Sequence, residues 1–452
     1  MNHDPISDAS GLYSTALAPP PADAFRRGRW LALLAASLGW MFDGFEMGLH
    51  PLVAYPALRE LLGPGVAATL GPGADPAATA TALATAVGQW NAILNALFLF
   101  GAATGGFFFG WLGDRIGRTR ALTLTILTYT LLTGLGGFST SVWHLAASRF
   151  LAAVGMGGEW SLGVALVMEI WPASARPLLA GVIGAMGNLG YLLIALTSLG
   201  VNVLSGQATT SWRPLMFIGV VPAFLVFMIR LWVPESARWE AAVADAEPVK
   251  PWEPLGSATR WRCVIATLLT GVALLGTWGA VQWIPLWAVS LAGPEYAGAK
   301  EYSQIAAAVG ACIGTLAAAL FSGRYGRRPT YFLLCLLSLA ATGWLFRTPQ
   351  TFGPGFLAGV FAVGLTTAAF YGWAPLYLPE LFPTRIRATA QGIAYNFGRI
   401  FAGIGTLALT GAMLDRFRSD LPASLAVTSL IYVVGLVLIW FAPETKGRPL
   451  PD

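Results

Sequence analysis

Long apolar runs separated by short polar segments dominate the hydrophobic pattern of this chain. A helix needs roughly 20 apolar residues to cross a hydrocarbon core of about 30 Å. About twelve runs approach that length, near residues 30–57, 84–112, 119–139, 143–171, 177–204, 213–233, 261–291, 303–322, 329–346, 354–381, 386–413 and 422–442. The sequence lacks the alternation of polar and apolar residues typical of β-barrel strands. The pattern therefore predicts an all-α integral membrane protein with twelve transmembrane helices.

The composition agrees with this prediction. Hydrophobic residues make up 56% of the chain and charged residues 11%, and the mean hydropathy is +0.64. A net charge of +5 would indicate nucleic-acid binding only if the basic residues formed a patch on a soluble domain, and the sequence has no such domain. We expect the lipid bilayer as a partner and no nucleic acid.

Lys and Arg are distributed unequally between the two sides of the predicted bundle. Arg149 and Arg399 lie inside predicted spans. One side holds Arg59, Arg213, Lys300, Arg347, Arg416 and Arg418, and all the others of the 27 Lys and Arg lie on the side of the termini. Because cytoplasmic loops retain positive charge, we expect both termini in the cytoplasm, which agrees with an even number of spans.

The segments between the runs divide the chain. We expect a disordered cytoplasmic tail at 1–28, an N-terminal six-helix half at 29–233, a cytoplasmic linker at 234–260, a C-terminal six-helix half at 261–442 and a cytoplasmic C-terminal tail at 443–452. Residues 59–83, rich in Gly, Pro, Ala and Thr, are predicted to form a loose outer loop. The three cysteines have no metal-like spacing. We expect them to be packing residues, with no metal and no cofactor.

The two halves repeat. GWLGDRIGRTR at 110–120 matches ALFSGRYGRRP at 319–329, EIWPASARPLLAG at 169–181 matches ELFPTRIRATAQG at 380–392, and VPES at 233–236 matches APET at 442–445. Two parallel-related six-helix halves are the architecture of carriers that rock one half against the other around a site near the midplane.

The stretch GWLGDRIGR resembles the signature loop of the major facilitator superfamily, between its second and third helices. The resemblance implies a gate motif of Gly110, Asp114, Arg115, Gly117 and Arg118. Small residues such as Gly110 allow close helix approach, Asp114 can form an ion pair across the gate, and Arg115 and Arg118 hold the loop at the membrane interface. The second copy has Gly323 in place of the acid, so we expect its gate to lack that ion pair.

Further stretches resemble the sialate:proton symporters of bacterial inner membranes and the neighbouring aromatic-acid:proton symporters. These stretches are FDGFE at 42–46, RFLAAVGMGGEW at 149–160, WRPLMFIGVVP at 212–222, PESARWE at 234–240, WGAVQWIPLW at 278–287 and YLPELFPTRIRATAQGIAYNFGRI at 377–400. Glu46 stands where those families usually have a second Asp, which keeps the charge on a longer side chain.

The first predicted span carries Asp43, Glu46 and His50 at helical spacings of three and four, which place them on one stripe. An acid that faces lipid would cost on the order of 2.5–3.5 kcal/mol or more, so the stripe must face the interior. A buried carboxyl near an arginine can bind and release a proton as its surroundings change. Asp43 is the first candidate proton site and Glu46 the second; a hydrogen-bonded packing network is the alternative.

The fourth span carries Arg149 and, ten residues later, Glu159, about 15 Å apart along the helix axis. They cannot pair with each other, but Arg149 can approach the stripe on the first helix. The resemblance implies that Arg149 links proton and substrate movement; the alternative is a structural ion pair. Glu159 is a candidate proton carrier or gate residue.

Arg399 lies near the predicted midplane and aligns with Asn188 in the first half, so equivalent helices differ by a full positive charge. A guanidinium stays charged when desolvated and can bind a carboxylate bidentately. Arg399 is therefore the candidate ligand of an anionic substrate, and a permanent salt bridge with Asp43 or Glu46 is the alternative. The predicted cavity wall adds Asn91, Asn95, Gln282, Trp283, Tyr371, Trp373, Tyr395 and Asn396.

These features predict a secondary active transporter that takes up a small organic carboxylate with a proton and functions as a monomer. Two alternatives are a sugar porter, because PESARW and PETKG also resemble sugar porters, and a proton-antiport exporter. A transport-dead sensor would need a signalling domain, and none is visible in the tail or the linker. The sequence also lacks catalytic, metal-spaced and phosphate-binding motifs, so we expect no enzymatic activity.

Overall fold

The computed structural model describes residues 22–71, 73–205, 212–221, 232–244, 246–293, 296, 298–348, 351–415 and 420–451. Most of the predicted N-terminal tail and residues 222–231 of the sixth predicted span lie outside them. The described α-helices are α1 (Ala22–Leu70), α2 (Pro76–Ile116), α3 (Arg118–Gly136), α4 (Val142–Ile170), α5 (Arg176–Ser205), α6 (Trp212–Ile218), α7 (Ala237–Val243), α8 (Arg260–Gly279), α9 (Ile284–Ala292), α10 (Ala299–Tyr325), α11 (Arg327–Leu345), α12 (Pro354–Thr367), α13 (Phe370–Tyr377), α14 (Arg387–Asp415), α15 (Leu421–Thr428) and α16 (Ile431–Leu438).

The helices follow the predicted apolar runs. Helices α1 to α6 correspond to the first six, and α7 lies between the halves. In the second half, α8 with α9, α12 with α13, and α15 with α16 each correspond to one run, and α10, α11 and α14 to one run each. Within the described residues, seven segments are long and apolar enough to cross a membrane by length and composition alone: Pro76–Ile116, Val142–Ile170, Arg176–Leu204, Arg260–Ala292, Ala299–Tyr325, Pro354–Leu381 and Leu421–Phe441. The described residues contain no strand, and the predicted all-α fold is confirmed.

The prediction of a loose loop at 59–83 is wrong. Helix α1 continues to Leu70 and α2 begins at Pro76, so the connection between them is short. The Ala and Leu residues of this segment are strong helix formers, and they extend both helices in spite of its Gly and Pro content. With 49 residues, α1 is about 74 Å long, well beyond the thickness of a hydrocarbon core.

Glycines allow the helices of each half to pack closely. A Cβ atom at Gly44 of α1 would overlap the carbonyl oxygen of Gly187 in α5, and one at Gly190 would overlap that of Met41. Gly105 of α2 meets the carbonyl of Val154 in α4 in the same way. Small residues at helix interfaces let backbones approach in a membrane, where no hydrophobic driving force pulls helices together. These contacts fix the position of α1, which carries the predicted acidic stripe.

We expect Gly190→Ala to destabilise the protein, because the added methyl group must push α5 away from the Met41 carbonyl of α1. The expected cost is on the order of 3 kcal/mol. Thermal unfolding of the detergent-solubilised protein measures it. Gly200→Ala on the same helix is the matched control, since a Cβ there meets no heavy atom within 4 Å. Equal melting temperatures for the two variants would contradict the proposed contact.

Candidate functional site

A cavity lies between the two halves. Helices α1 and α5 of the first half and α8, α9, α10, α12, α13 and α14 of the second half contribute to its wall. Its aromatic and polar side chains are Trp40, Asn188, Tyr191, Thr277, Trp278, Gln282, Ser303, Gln304, Thr367, Tyr371, Tyr395 and Arg399. Arg399 is the one charged side chain among the described residues that line it. A small organic molecule fits this lining.

Four of the residues predicted for the cavity wall line it: Gln282, Tyr371, Tyr395 and Arg399. Asn396 instead joins the halves, because its Nδ2 donates to the carbonyl oxygen of Gly157 in α4 at 2.8 Å. Helical spacing places Asn396 toward the interior, but it does not distinguish a cavity from a helix interface.

The other predicted wall residues also lie elsewhere. Asn91 is close to His50 on the neighbouring helix, and Asn95 is buried in α2. Trp283 packs in an apolar cluster of the second half with Trp287. Trp373 is likewise buried, and its Nε1 donates to the carbonyl oxygen of Arg327 at 2.9 Å.

Arg399 is 2% exposed. Its Nε and Nη1 meet no hydrogen-bond acceptor within the described part of the chain. Its Cζ lies 5.3 Å from the ring centroid of Tyr395 and 6.0 Å from that of Phe98, and Asp43 is within its electrostatic range. A buried guanidinium with open donor positions is costly unless a charged acceptor joins it.

Arg149 approaches the stripe on the first helix. Its Nη1 lies 2.9 Å from Oε1 of Glu46, and both side chains are buried. His50 is close to Arg149, and the two line a small cavity together with Leu94 and Met216. The acidic stripe and the fourth helix thus form one buried polar cluster.

Phe98 of α2 contacts both central arginines. Its ring centroid is 4.2 Å from Cζ of Arg149 and 6.0 Å from Cζ of Arg399, and the ring is 1% exposed. A ring face attracts a cation, so Phe98 stabilises two guanidiniums that repel each other. No sequence pattern indicated this role, because a phenylalanine in an apolar run is indistinguishable from a packing residue.

Asp43 and Glu159 face each other. Gly39, one turn before Asp43 on α1, makes room for the Glu159 carboxyl, which a Cβ at Gly39 would overlap. The two carboxyls lie within hydrogen-bonding range. Tyr129 of α3 lies beside Glu159, and both acids are at most 2% exposed.

The gate motif joins the halves at the end of the bundle that holds the α2–α3 connection, here called the motif side. Asp114 Oδ2 accepts from the backbone N–H and the hydroxyl of Thr389 at 2.7 and 2.5 Å. Asp114 Oδ1 accepts from Nη1 of Arg118 at 2.6 Å. A Cβ at Gly110 would lie 2.7 Å from the carbonyl oxygen of Ala388. The first half is therefore fastened to the start of α14.

Two other members of the motif differ in their surroundings. Gly117 has a φ of +110°, and a Cβ there would overlap the Glu235 carboxyl, so both backbone and space require glycine. Arg115 is exposed, with its Cζ 5.4 Å from the ring of Trp111.

Both halves repeat one network of contacts on the motif side. Arg118 contacts Glu169 at 3.3 Å, and its counterpart Arg327 contacts Glu380 at 2.6 Å. Glu235 accepts from the backbone N–H of Arg118 at 2.8 Å. In the second half, Glu444 accepts from the N–H groups of Arg327 and Arg328, each at 3.0 Å.

The Glu444 carboxylate caps the N-terminus of α11. Partial burial acts to raise the pKa of Glu444, but the N–H groups of Arg327, Arg328 and Lys446 outweigh it and leave the pKa below its ordinary value. Gly323, where the first half has Asp114, lies against Pro177. Asp114 thus gives the first copy of the motif a link between the halves that the second copy, with Gly323, lacks.

A second set of contacts joins the halves on the opposite side, here called the far side. Gln304 Nε2 donates to the carbonyl oxygens of Gly48 and Tyr191 at 3.3 and 3.0 Å. Lys300 Nζ donates to the carbonyl oxygen of Leu52 at 3.2 Å, and Ser198 donates to Glu301 at 3.0 Å. Sequence reasoning missed these residues, although a glutamine within an apolar run is a usable signal. The cavity therefore lies between two sets of contacts, and opening either side requires breaking one of them.

Known proteins with the same organisation are numerous. A probable 4-methylmuconolactone transporter of Cupriavidus pinatubonensis is 30% identical over 419 residues, which cover 90% of this chain and 89% of that protein. The sialic acid transporter NanX of Escherichia coli is 25% identical over 381 residues, 81% of this chain and 83% of NanX. The proton:xylose symporter XylE superposes with a TM-score of 0.74 at 20% identity, covering 93% of this chain and 97% of XylE.

The family model described as "Sugar (and other) transporter" matches residues 73–252 and 250–452. These two matches cover most of the chain and meet at the boundary between the repeated halves. The resemblance drawn from GWLGDRIGR and the related stretches is confirmed. This chain belongs to the sugar (and other) transporter family of the major facilitator superfamily and is a membrane transporter.

Proposed function

We propose that this transporter imports a small organic carboxylate together with a proton by alternating access. The observation that carries the proposal is Arg399, a buried guanidinium in the wall of the cavity between the halves. Its Nε and Nη1 meet no acceptor among the described residues. A substrate carboxylate supplies a charged acceptor for those donors and becomes desolvated with them.

The rest of the cavity wall suits an organic acid. Trp40, Trp278 and Tyr371 offer apolar ring surface, while the amides of Asn188 and Gln282 offer polar contacts. The names of several relatives refer to muconate, niacin and sialic acid transport, and all three substrates are carboxylic acids.

The position of Asp43 near both Glu159 and Arg399 supports proton coupling. When its carboxyl is ionised, Asp43 is the counter-charge of Arg399. When it is protonated, Arg399 is released to bind the substrate. One binding event thereby favours the other. The ion pair between Glu46 and Arg149 stays intact and holds α1 against α4. Arg149 also contacts the ring of Phe98.

Alternating access then requires the two sets of contacts between the halves to break in turn. We assign the motif side to the cytoplasm, because most Lys and Arg residues lie there. A single chain contains both halves and the whole cavity, so we propose a functional monomer.

Sugar transport is the second candidate. The superposition on XylE and the amides of Asn188, Gln282 and Gln304 in the wall favour it, since amides bind hydroxyl groups. Under that proposal Arg399 has no charged ligand and is a structural residue.

Uptake into proteoliposomes tests the proposal. We expect an inward proton gradient to drive accumulation of at least one of radiolabelled sialate, lactate and nicotinate, by up to about tenfold per unit of pH difference for one proton per carboxylate. Protein-free liposomes are the control for passive entry of the neutral acids. Uptake of xylose or glucose with none of the three acids would establish the sugar-porter alternative, and proton-driven efflux alone would indicate an exporter.

A further inference from the structure

The buried centre of the protein holds an unequal number of acids and bases. Asp43, Glu46 and Glu159 stand against Arg149 and Arg399, and each of the five is at most 7% exposed. We call these five residues the central charge cluster. Uncompensated charge is costly in such surroundings, and a buried acid without a counter-charge binds a proton instead. Three carboxyls against two guanidiniums leave one carboxyl to be neutralised when the cavity is empty.

The contacts show which carboxyls share that proton. Glu46 has its own partner in Arg149 at 2.9 Å. Asp43 and Glu159 lie within hydrogen-bonding range of each other. None of their four carboxyl oxygens accepts a hydrogen bond from a donor in the described part of the chain. Two ionised carboxylates at this separation repel, whereas one shared proton turns the same contact into a hydrogen bond.

The groups packed around Asp43 and Glu159 do not change the balance of three carboxyls against two guanidiniums. Tyr129 of α3 faces Glu159, and Tyr371 and Tyr395 face Arg399. Phenols are neutral at physiological pH. His50 lies beside Arg149, whose positive charge disfavours a second positive charge on the imidazole. Phe98 contacts both guanidiniums but carries no charge.

A bound substrate carboxylate changes the balance. The substrate carboxylate pairs with Arg399, which then no longer serves as a counter-charge for Asp43 and Glu159. Glu46 remains paired with Arg149. Four acidic groups now face two guanidiniums, so both Asp43 and Glu159 must be neutral. The difference between the empty and the loaded cluster is one substrate anion and one proton.

We propose that the Asp43–Glu159 pair holds one proton in the empty transporter and binds a second with each substrate carboxylate, so that a monocarboxylate crosses the membrane without net charge. This inference rests on the proposed function. It assigns Glu159 the same role in proton coupling as Asp43, because either carboxyl can bind the coupling proton while the other remains protonated.

The first test is the response of uptake to membrane potential. Proteoliposomes containing the full chain are clamped with potassium and valinomycin, and accumulation of sialate, lactate and nicotinate is measured under one fixed proton gradient. We expect accumulation that does not respond to the potential. Movement of one net charge would change it by about 50-fold per 100 mV, and that result would overturn the inference while leaving proton-coupled uptake established.

Amide variants test the shared role. We expect Asp43→Asn and Glu159→Gln each to retain gradient-driven, potential-independent uptake, because the remaining carboxyl takes the coupling proton. The double variant should lose gradient-driven uptake yet still exchange internal for external substrate, which also shows that it is folded. Glu60→Gln, an exposed acid on the same helix α1, is the matched control.

The single variants separate the inference from simpler mechanisms. Loss of coupling in Asp43→Asn with full coupling in Glu159→Gln would make Asp43 the sole proton site and overturn the shared pair. Retained coupling in the double variant would place the proton elsewhere and overturn it as well. If the wild-type protein moves none of the three acids, the proposed function itself fails.

Discussion

Arg399→Gln is expected to reduce carboxylate uptake by about 100-fold or more, since removing one partner of a buried charged pair typically costs 2–5 kcal/mol. Glutamine can donate one hydrogen bond but supplies no charge, so the substrate carboxylate would be buried without a counter-ion. Asp43 would also lose the positive charge in its surroundings. Initial rates of labelled acid uptake in proteoliposomes measure the effect.

Two further substitutions test whether the loss of uptake depends on the geometry and on the position of the guanidinium. Arg399→Lys keeps the charge but not the bidentate hydrogen-bonding geometry, and we expect an intermediate loss of uptake rate of about tenfold. Arg347→Gln removes an exposed arginine of the second half and should leave the rate unchanged. Wild-type rates in Arg399→Gln would make the guanidinium structural and favour the sugar-porter alternative.

Asp114→Ala is expected to slow transport by at least about tenfold, because it leaves the buried Arg118 with part of its counter-charge missing. The substitution also removes the contacts with Thr389 that fasten the first half to α14. We expect the open state of the motif side to gain population as a result.

Spin labels at Arg120 and Arg324, both exposed and in different halves, report this opening. The distance between them should increase in Asp114→Ala, measured in a background without the native cysteines. Arg260→Ala on the motif side is the control, since Arg260 is exposed at the start of α8 and its loss should change neither distance nor rate. An unchanged distance in Asp114→Ala would show that other contacts keep the motif side closed.

Features that depend on helical periodicity or on internal repetition could be predicted from the sequence. The acidic stripe on α1 and the burial of Arg149 and Arg399 follow from the cost of placing charge against lipid. The repeated motifs predicted two equivalent halves, in which the structure gives Arg118 and Arg327 equivalent partners. Each of these predictions needs only helical periodicity or internal repetition.

Contacts between distant segments could not be read in this way. The sequence left open whether Arg149 or Arg399 would pair with Asp43 or Glu46, and the packing of α1 against α4, where Gly39 lies against Glu159, decided it. Asn396 points inward as predicted but meets α4 instead of the cavity. Phe98 had no sequence signal, because its role depends on two guanidiniums brought together from different halves.

The sequence by itself determined the membrane location of the helices, their number, the two repeated halves and the burial of the central charge cluster. Lipid imposes these features locally, since every span must bury its own backbone polar groups and turn its charges inward. The tertiary structure alone decided which charges pair, which polar residues line the cavity and which hold the halves together. Those outcomes depend on close approach between helices far apart in the chain, and hydrophobic periodicity carries no information about the partner that a buried face will meet.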